Sequence, residues 1–462
     1  MENNNANLNG SADIVAMTES DATSSEVLIS TTAPKQGIAT DTSTIMDQIS
    51  SMNNLLVAFK QVKSNKGAPG IDNVSIQDFE SRLDRNIQSL QNALRNKSYS
   101  PFPVKVRMIP KPGGKLRKLG IPTVHDRVVQ QAVLNILQPI FDPDFSESSF
   151  GFRPKRSAHM AVKQASKYVQ DGREFVVDID LEAFFDNAPH DLIMRGLYRK
   201  VTDVFVLRLI KKFLKAGQMN DGVLEETHKG TPQGSPLSPL LSNILLDCLD
   251  LELEKRGHKF CRYADDCNIY VKSLKSAESV LASTTRFIEK RLKLKVNTEK
   301  SAAAKVSTRK FLGFTLKADG TIAIAQASVK RFKDKVREIT KRNKGRSLKS
   351  IITELKPVLL GWGNYFSIAS SPTILKTLDG WIRRRLRCYR IKQRKRKYSI
   401  YTFLKSMGIK GCKAWSLAKS NRGWWRMSLN RTIHRALGNQ WFIGSGLISL
   451  VINQSTRCAK QT

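Results

Sequence analysis

Apolar residues recur at helical spacing at Leu55, Leu56, Phe59 and Val62, which predicts helix across 51–100. The stretch Asn65-Lys66-Gly67-Ala68-Pro69-Gly70 interrupts it as a loop. From 101 to 325 short apolar runs alternate with helix-like segments. Strands are predicted at 104–109, 175–179, 260–263, 268–271 and 311–316. That alternation suits an α/β or α+β domain. The pattern then changes. Val329, Phe332, Val336 and Ile339 form one apolar helical face, and most positions between them are Lys or Arg. Two more helices are predicted at 348–366 and 373–390. Residues 391–462 are basic and aromatic, with Trp415, Trp424, Trp425 and Trp441, and no internal repeat is visible. Residues 1–48 show little apolar periodicity and are rich in Asn, Ser, Thr and Ala, which predicts a disordered tail.

One polar intrusion in this pattern bears on chemistry. Between the predicted strands 260–263 and 268–271 stand two adjacent acids, Asp265 and Asp266, in Tyr263-Ala264-Asp265-Asp266. An unpaired carboxylate is expensive to bury, and a second one beside it adds like-charge repulsion. A divalent cation relieves both penalties, so acids at a hairpin tip point to Mg2+ chemistry on phosphates. A solvent-exposed Asp-Asp turn is the alternative. A second apolar run, Phe175-Val176-Val177-Asp178-Ile179-Asp180, ends in an acid before helix-like sequence. Asp180 is thereby placed at the carboxyl end of a strand, where sites of α/β proteins gather. Asp178 shares its face and competes for the role, because strand side chains alternate with period two.

Composition narrows the partner. The chain has 462 residues and a formal net charge of +37, which calls for a polyanion: nucleic acid first, an anionic membrane surface far behind. Residues 1–50 carry seven acids against one base, so the rest of the chain is more basic still. No apolar run approaches the roughly 20 residues of a membrane span. The six cysteines are scattered without a Cys-x-x-Cys pair, which reads as reduced thiols of a cytoplasmic protein.

The ordered boxes make the sequence recognisable. Ile109-Pro110-Lys111-Pro112-Gly113-Gly114-Lys115-Leu116-Arg117 is followed by Leu119-Gly120-Ile121-Pro122 and Asp126-Arg127-Val128-Val129-Gln130. Then come Ser149-Phe150-Gly151-Phe152-Arg153-Pro154, the Asp180 segment, Gly230-Thr231-Pro232-Gln233-Gly234-Ser235-Pro236 and the Tyr-Ala-Asp-Asp box. From about residue 51 onward the chain resembles the reverse transcriptases encoded by bacterial group II introns, the intron-encoded maturases. The resemblance implies an α+β right-hand polymerase: fingers and a palm with an antiparallel sheet over 49–326. A basic α-helical thumb or maturase domain would cover 327–412, and a basic aromatic DNA-binding region 413–462.

Carried onto this sequence, the resemblance makes Asp180, Asp265 and Asp266 the catalytic acids and the ligands of two Mg2+ ions. Phe185 matches the bulky residue that excludes the sugar 2′-hydroxyl, with a core aromatic as the bland alternative. Lys111 and Arg117 match residues that clamp the triphosphate, a task suited to Lys and Arg. Gln233 and Gly234 match the loop against the incoming nucleotide; without the family they read as an ordinary turn. Lys300 matches a palm lysine proposed to protonate pyrophosphate, and a solvated surface lysine is the alternative. Phe311, Leu312 and Gly313 match the primer grip, otherwise a buried hairpin. Residues 381–397 hold ten bases and no acid, and Arg383, Arg384, Arg385, Arg387, Arg390 and Lys392 are the candidate nucleic-acid contacts.

The partners implied are intron RNA, target DNA, RNA/DNA hybrid, deoxynucleoside triphosphates and a second copy of the chain in a homodimer, with no membrane. After residue 400 only Cys412, His434 and Cys458 remain of the metal-binding types, so no endonuclease is expected. Three rivals stand beside this reading: an RNA-folding protein with an inactive palm, a domesticated relative serving defence or sequence diversification, and a plain DNA-binding protein, which explains the charge but not the ordered boxes.

Overall fold

The computed structural model describes residues 44–110, 116–220, 222–420 and 423–451. The chain divides into two compact units between Arg309 and Lys310. The strands of the first are β1 (Val104–Pro110), β2 (Leu116–Ile121), β3 (Phe175–Ile179), β4 (Gln218–Asn220), β5 (Val223–Glu225), β6 (Lys259–Tyr263), β7 (Asp266–Val271) and β8 (Ala302–Lys305).

The first helix, Ile45–Ile49, starts at Thr44 with a reciprocal cap. The Thr44 hydroxyl accepts from the Asp47 N–H, and the Asp47 carboxylate accepts from the Thr44 N–H. Met46 and Ile49 are buried. The tail expected to reach residue 48 therefore gives way to the fold by residue 44, because one capped turn buries two apolar side chains. Residues 1–43 lie outside the described residues. The helix Met52–Ser64 buries Leu55, Ala58, Phe59 and Val62 and ends at the foreseen loop. It packs on Val124–Phe141, which buries Val128, Val129, Ala132 and Val133.

Two four-stranded sheets follow. One has the order β6-β7-β3-β8 and is antiparallel throughout. The other has the order β2-β1-β4-β5, with β1 and β4 parallel. Val177, Ile179, Phe260 and Ile269 from the first sheet join Leu245 and Leu249 of the helix Ser238–Lys255 in one core. This core fixes register: a one-residue slip would send the apolar positions of β3 to the wrong face.

The second unit opens with a hairpin of β9 (Phe314–Leu316) and β10 (Ile322–Ile324) and continues in helices. The expected domain boundary at 326/327 falls after this hairpin, whereas the compact unit begins before it. Packing explains the difference. The Phe314 ring lies 5.5 Å from Tyr365 and 4.9 Å from Phe366, and the Tyr365 hydroxyl donates to the Leu312 carbonyl at 2.8 Å. The strand expected over 311–316 is shorter for a local reason: Leu312 (φ 50°) and Gly313 (φ 82°) turn the chain before β9. The long helices are Gln326–Ile339, Leu348–Tyr365 and Pro372–Gln393. Described residues after 412 belong to the same unit.

Candidate active site

The acids converge through sheet register. β3 pairs with β7 so that Ile179 faces Cys267, and one step further along sets Asp180 opposite Asp266. β6 and β7 join through a two-residue loop, Ala264-Asp265, closed by the pair Tyr263 and Asp266. Ala264 adopts the left-handed conformation (φ 57°), rare for a residue with a Cβ. This reversal brings Asp265 round beside its neighbour. Burial, with Asp180 as a further negative charge, pushes the Asp265 carboxyl above its usual range. Asp266 keeps solvent access, yet crowding by protein atoms and by Asp265, Asp178 and Asp180 raises it to about 7.

The counter-charges are few. The Lys300 ammonium donates to Asp180 Oδ2 at 2.8 Å, a contact that holds the lysine in its charged form. Asp180 is further fixed through its backbone: its N–H donates to Ser301 Oγ at 3.0 Å and its carbonyl accepts from Asn297 N–H at 2.8 Å. Asp178 is engaged elsewhere, because its Oδ2 accepts from Arg309 Nε at 3.0 Å and Nη2 at 2.6 Å. The same guanidinium donates to the Lys300 carbonyl. Asp178 is thus paired with Arg309 and Asp180 with Lys300, and both add negative charge at Asp266. Among the described residues no three His, Cys, Asp or Glu side chains stand together closely enough to hold a metal ion. Burial first, and neighbouring carboxylates second, raise Asp265 and Asp266, and an all-oxygen carboxylate set is the donor type Mg2+ takes.

Groups that sequence reasoning missed hold the turn. Arg262 is fully buried and locks onto the fully buried Asp250 of the helix Ser238–Lys255, with Nε to Oδ1 at 2.7 Å and Nη2 to Oδ2 at 2.5 Å. It also donates to Asn243 Oδ1, Ser149 Oγ and the Ala264 carbonyl. Gly151 packs so tightly that a Cβ there would lie 2.2 Å from the Ala264 nitrogen. The box at 149–154 is therefore a seat for the acidic turn. A signal existed: an arginine within the apolar run 260–263 and an acid among the leucines at 245–251 each need a buried partner.

On the second sheet, the exposed Arg117 of β2 donates through Nε to Gln233 Oε1 at 2.6 Å. Arg117 also lies close enough to Asp265 to oppose the rise in its pKa. The Gln233 carbonyl accepts from Gly120 N–H at 2.8 Å. Gly234 (φ 115°) lies so near Gly120 that a Cβ would meet its carbonyl at 2.5 Å, so only glycine fits. Phe185 is half-buried, edge-on to the buried Phe184 at 5.3 Å, and its carbonyl accepts from Thr231 N–H at 2.6 Å. Lys111 lies outside the described residues.

In the second unit, Phe311 is buried and bridges to Phe314 around the turn of Leu312 and Gly313. The basic helix Pro372–Gln393 spends much of its charge internally. Arg384 stacks on Trp425 at 3.8 Å, Arg385 Nε donates to Thr340 Oγ1 at 2.7 Å, and Arg390 stacks on Phe403 at 5.0 Å. Lys392 Nζ donates to the Arg342 carbonyl at 3.1 Å, and Arg383 stands 3.9 Å from Asp379. Those five remain half-buried. Arg387 corrects the expectation of a surface contact: it is 1% exposed, donates to the Leu437 carbonyl and is lowered to about 10 by burial. Helical spacing put it on the inner face.

Comparisons with known proteins define the family. Residues 109–316 match the family model of the reverse transcriptase (RNA-dependent DNA polymerase), and residues 329–407 that of the group II intron maturase-specific domain. Protein YkfC of Escherichia coli K12 is 34% identical over 278 residues, covering 52% of this chain and 73% of its own. The group II intron-encoded protein LtrA of Lactococcus lactis is 40% identical over 210 residues, covering 45% of this chain but only 34% of LtrA. Among solved structures, apo telomerase from Candida tropicalis aligns with a TM-score of 0.42 at 13% identity over 75% of this chain and 69% of that one. The chain belongs to the group II intron-encoded reverse transcriptases, with a polymerase domain of α+β right-hand fold followed by a maturase domain. It is an RNA-directed DNA polymerase by that domain and a binder of RNA and DNA, and among the described residues no helix is long and apolar enough to cross a membrane.

Proposed function

We propose that Asp180, Asp265 and Asp266 are the catalytic acids of nucleotide addition and the ligands of two Mg2+ ions. The basic helical unit would hold intron RNA and assist its splicing, and target-primed reverse transcription would support intron mobility. The observation that carries the reading is the meeting of three acids at one sheet end, with Lys300 on Asp180 and Arg117 close to Asp265.

Bound Mg2+ supplies charge for the entering and leaving oxygens of an in-line phosphoryl displacement. The chain's own groups do the rest. Asp266, raised to about 7, gives up its proton, and Asp180 exchanges its contact with Lys300. The released ammonium is then a charged donor for the leaving pyrophosphate oxygen. Arg117, steadied by Gln233, binds the triphosphate. Phe185 offers an aromatic edge against a 2′-hydroxyl and so favours deoxynucleotides. Gln233 and Gly234 line the nucleotide, and Phe311, Leu312 and Gly313 hold the primer end. Arg383, Arg384, Arg385, Arg390 and Lys392 keep enough exposure to meet phosphates of intron RNA, target DNA or RNA/DNA hybrid. The described cysteines are all free thiols, which suits a cytoplasmic setting.

Primer extension on poly(rA)/oligo(dT) tests the reading. Wild type should incorporate dTTP in Mg2+, and Asp265→Ala should lose at least about 10³-fold in kcat. An Asp265→Ala variant as active as wild type would refute the assignment.

A further inference from the structure

The turn that carries the acids is gripped on both sides by groups the proposed chemistry does not use. Arg262 has five N–H donors, and each has an acceptor. Two go to Asp250, one to Asn243 Oδ1 at 3.0 Å, one to Ser149 Oγ at 2.8 Å and one to the Ala264 carbonyl at 3.0 Å. Four of the five tie the guanidinium to rigid surroundings, and only the fifth reaches the turn. Asn243 in turn donates to the Gly151 carbonyl at 2.9 Å, and a Cβ on Gly151 would lie 2.2 Å from the Ala264 nitrogen. Ala264 is therefore held at its carbonyl by Arg262, beside a glycine that leaves no room for a side chain, in a conformation unfavourable for alanine.

Stability alone gives little reason for such a charge pair. Removing Arg262 and Asp250 from water offsets most of their attraction, and packed apolar residues of like volume serve a core as well or better. What apolar residues cannot supply is a rigid fork that fixes the orientation of one peptide group. The carbonyl so held belongs to the peptide leading into Asp265.

We propose that Arg262, locked by Asp250, is a positioning residue that sets the Ala264-Asp265 peptide and thereby aims the Asp265 carboxylate for cation binding and nucleotide addition. The inference rests on the catalytic reading above. Outer groups of this kind typically change metal affinity or rate by about 10–100-fold.

The test uses the full chain with Arg262→Met/Asp250→Leu, Arg262→Lys and the Asp265→Ala control. Three readouts are taken: thermal unfolding, kcat and KM for dTTP on poly(rA)/oligo(dT), and Mn2+ binding by EPR titration without nucleic acid. The double variant should stay folded and keep its affinity for primer-template. Its kcat should fall about 10–100-fold, with Mn2+ binding weakened by a similar factor. A folded double variant with wild-type kcat and Mn2+ affinity overturns the proposal. Should the double variant not fold, Arg262→Lys decides: it neutralises Asp250 but lacks the fork, so the same losses are expected. Wild-type behaviour of the lysine variant, or its failure to fold, overturns the positioning role. An active wild type, a dead Asp265→Ala and unaffected Arg262 variants would sink the positioning role alone. An Asp265→Ala variant that still extends primers would sink the catalytic reading instead.

Discussion

At the scale of single residues, the charge around Asp266 has a measurable sign. Its carboxyl titrates at about 7 in the folded chain against 3.8 ordinarily. Below pH 7 the native protein therefore holds a proton that a cation must displace. The half-saturating Mg2+ concentration for primer extension should fall as pH rises from 6 to 8, by up to about tenfold per unit for one displaced proton. A pH-independent Mg2+ requirement would contradict this. The same shift acts on stability without metal. A carboxyl raised in the folded state binds more protons there than in the unfolded chain, so its contribution declines as pH climbs from about 4 to about 7. Asp266→Asn should accordingly raise the metal-free melting temperature at pH 8 and leave it nearly unchanged at pH 4. The two acids should also differ in the reaction. Asp265 lies in the two-residue loop and feels the charges of Asp180, Arg117 and Lys300, so Asp265→Asn should cost more kcat than Asp266→Asn. The reverse order in primer extension would count against the assigned roles.

At the scale of elements, close packing behind the β6–β7 turn explains a box that spacing alone did not. Gly151→Ala would drive a methyl into the Ala264 backbone, where neither partner is a flexible side-chain end. Overpacking of that kind costs about 1–3 kcal/mol. The variant should melt earlier and lose kcat more than it gains in KM for primer-template; intact kcat would show that the turn tolerates displacement. The basic helix Pro372–Gln393 makes the complementary point. Its charge run reads in sequence as one surface, but the helix buries one side, and Arg387 goes with it. Arg387→Met should leave the salt dependence of RNA binding unaltered, whereas Arg384→Ala should reduce it. Equal effects from both would mean that burial does not separate their roles. The extent of β9 was similarly illegible, because Leu312 and Gly313 look like strand residues until the aromatic contacts of Phe314 bend the chain there.

At the scale of the molecule, the net charge of +37 is far beyond what any internal pairing neutralises. Phosphates of a bound nucleic acid release counterions, so affinity should fall steeply with salt. For six to ten phosphate contacts the expected loss is about 10³–10⁵-fold between 50 and 200 mM salt. Filter binding of intron RNA across that range checks it, and a shallow dependence would show that the charge is not engaged.

The linear chain determined the residue types and their order: three acids on apolar runs, the arginine and glutamine boxes, the switch to basic helices and the sign of the partner's charge. Period-two and helical patterning are local properties, so strands and helices were legible where burial is one-sided. Which acid meets which, however, depends on pairing between β3 and β7, strands about ninety residues apart, and tertiary structure alone set Asp178 on Arg309 and Asp180 on Lys300. It likewise decided that Arg262 and Arg387 lie inside and that Gly151 seats the turn. Burial and hydrogen-bond partnership are relations between distant segments, and no local pattern encodes them.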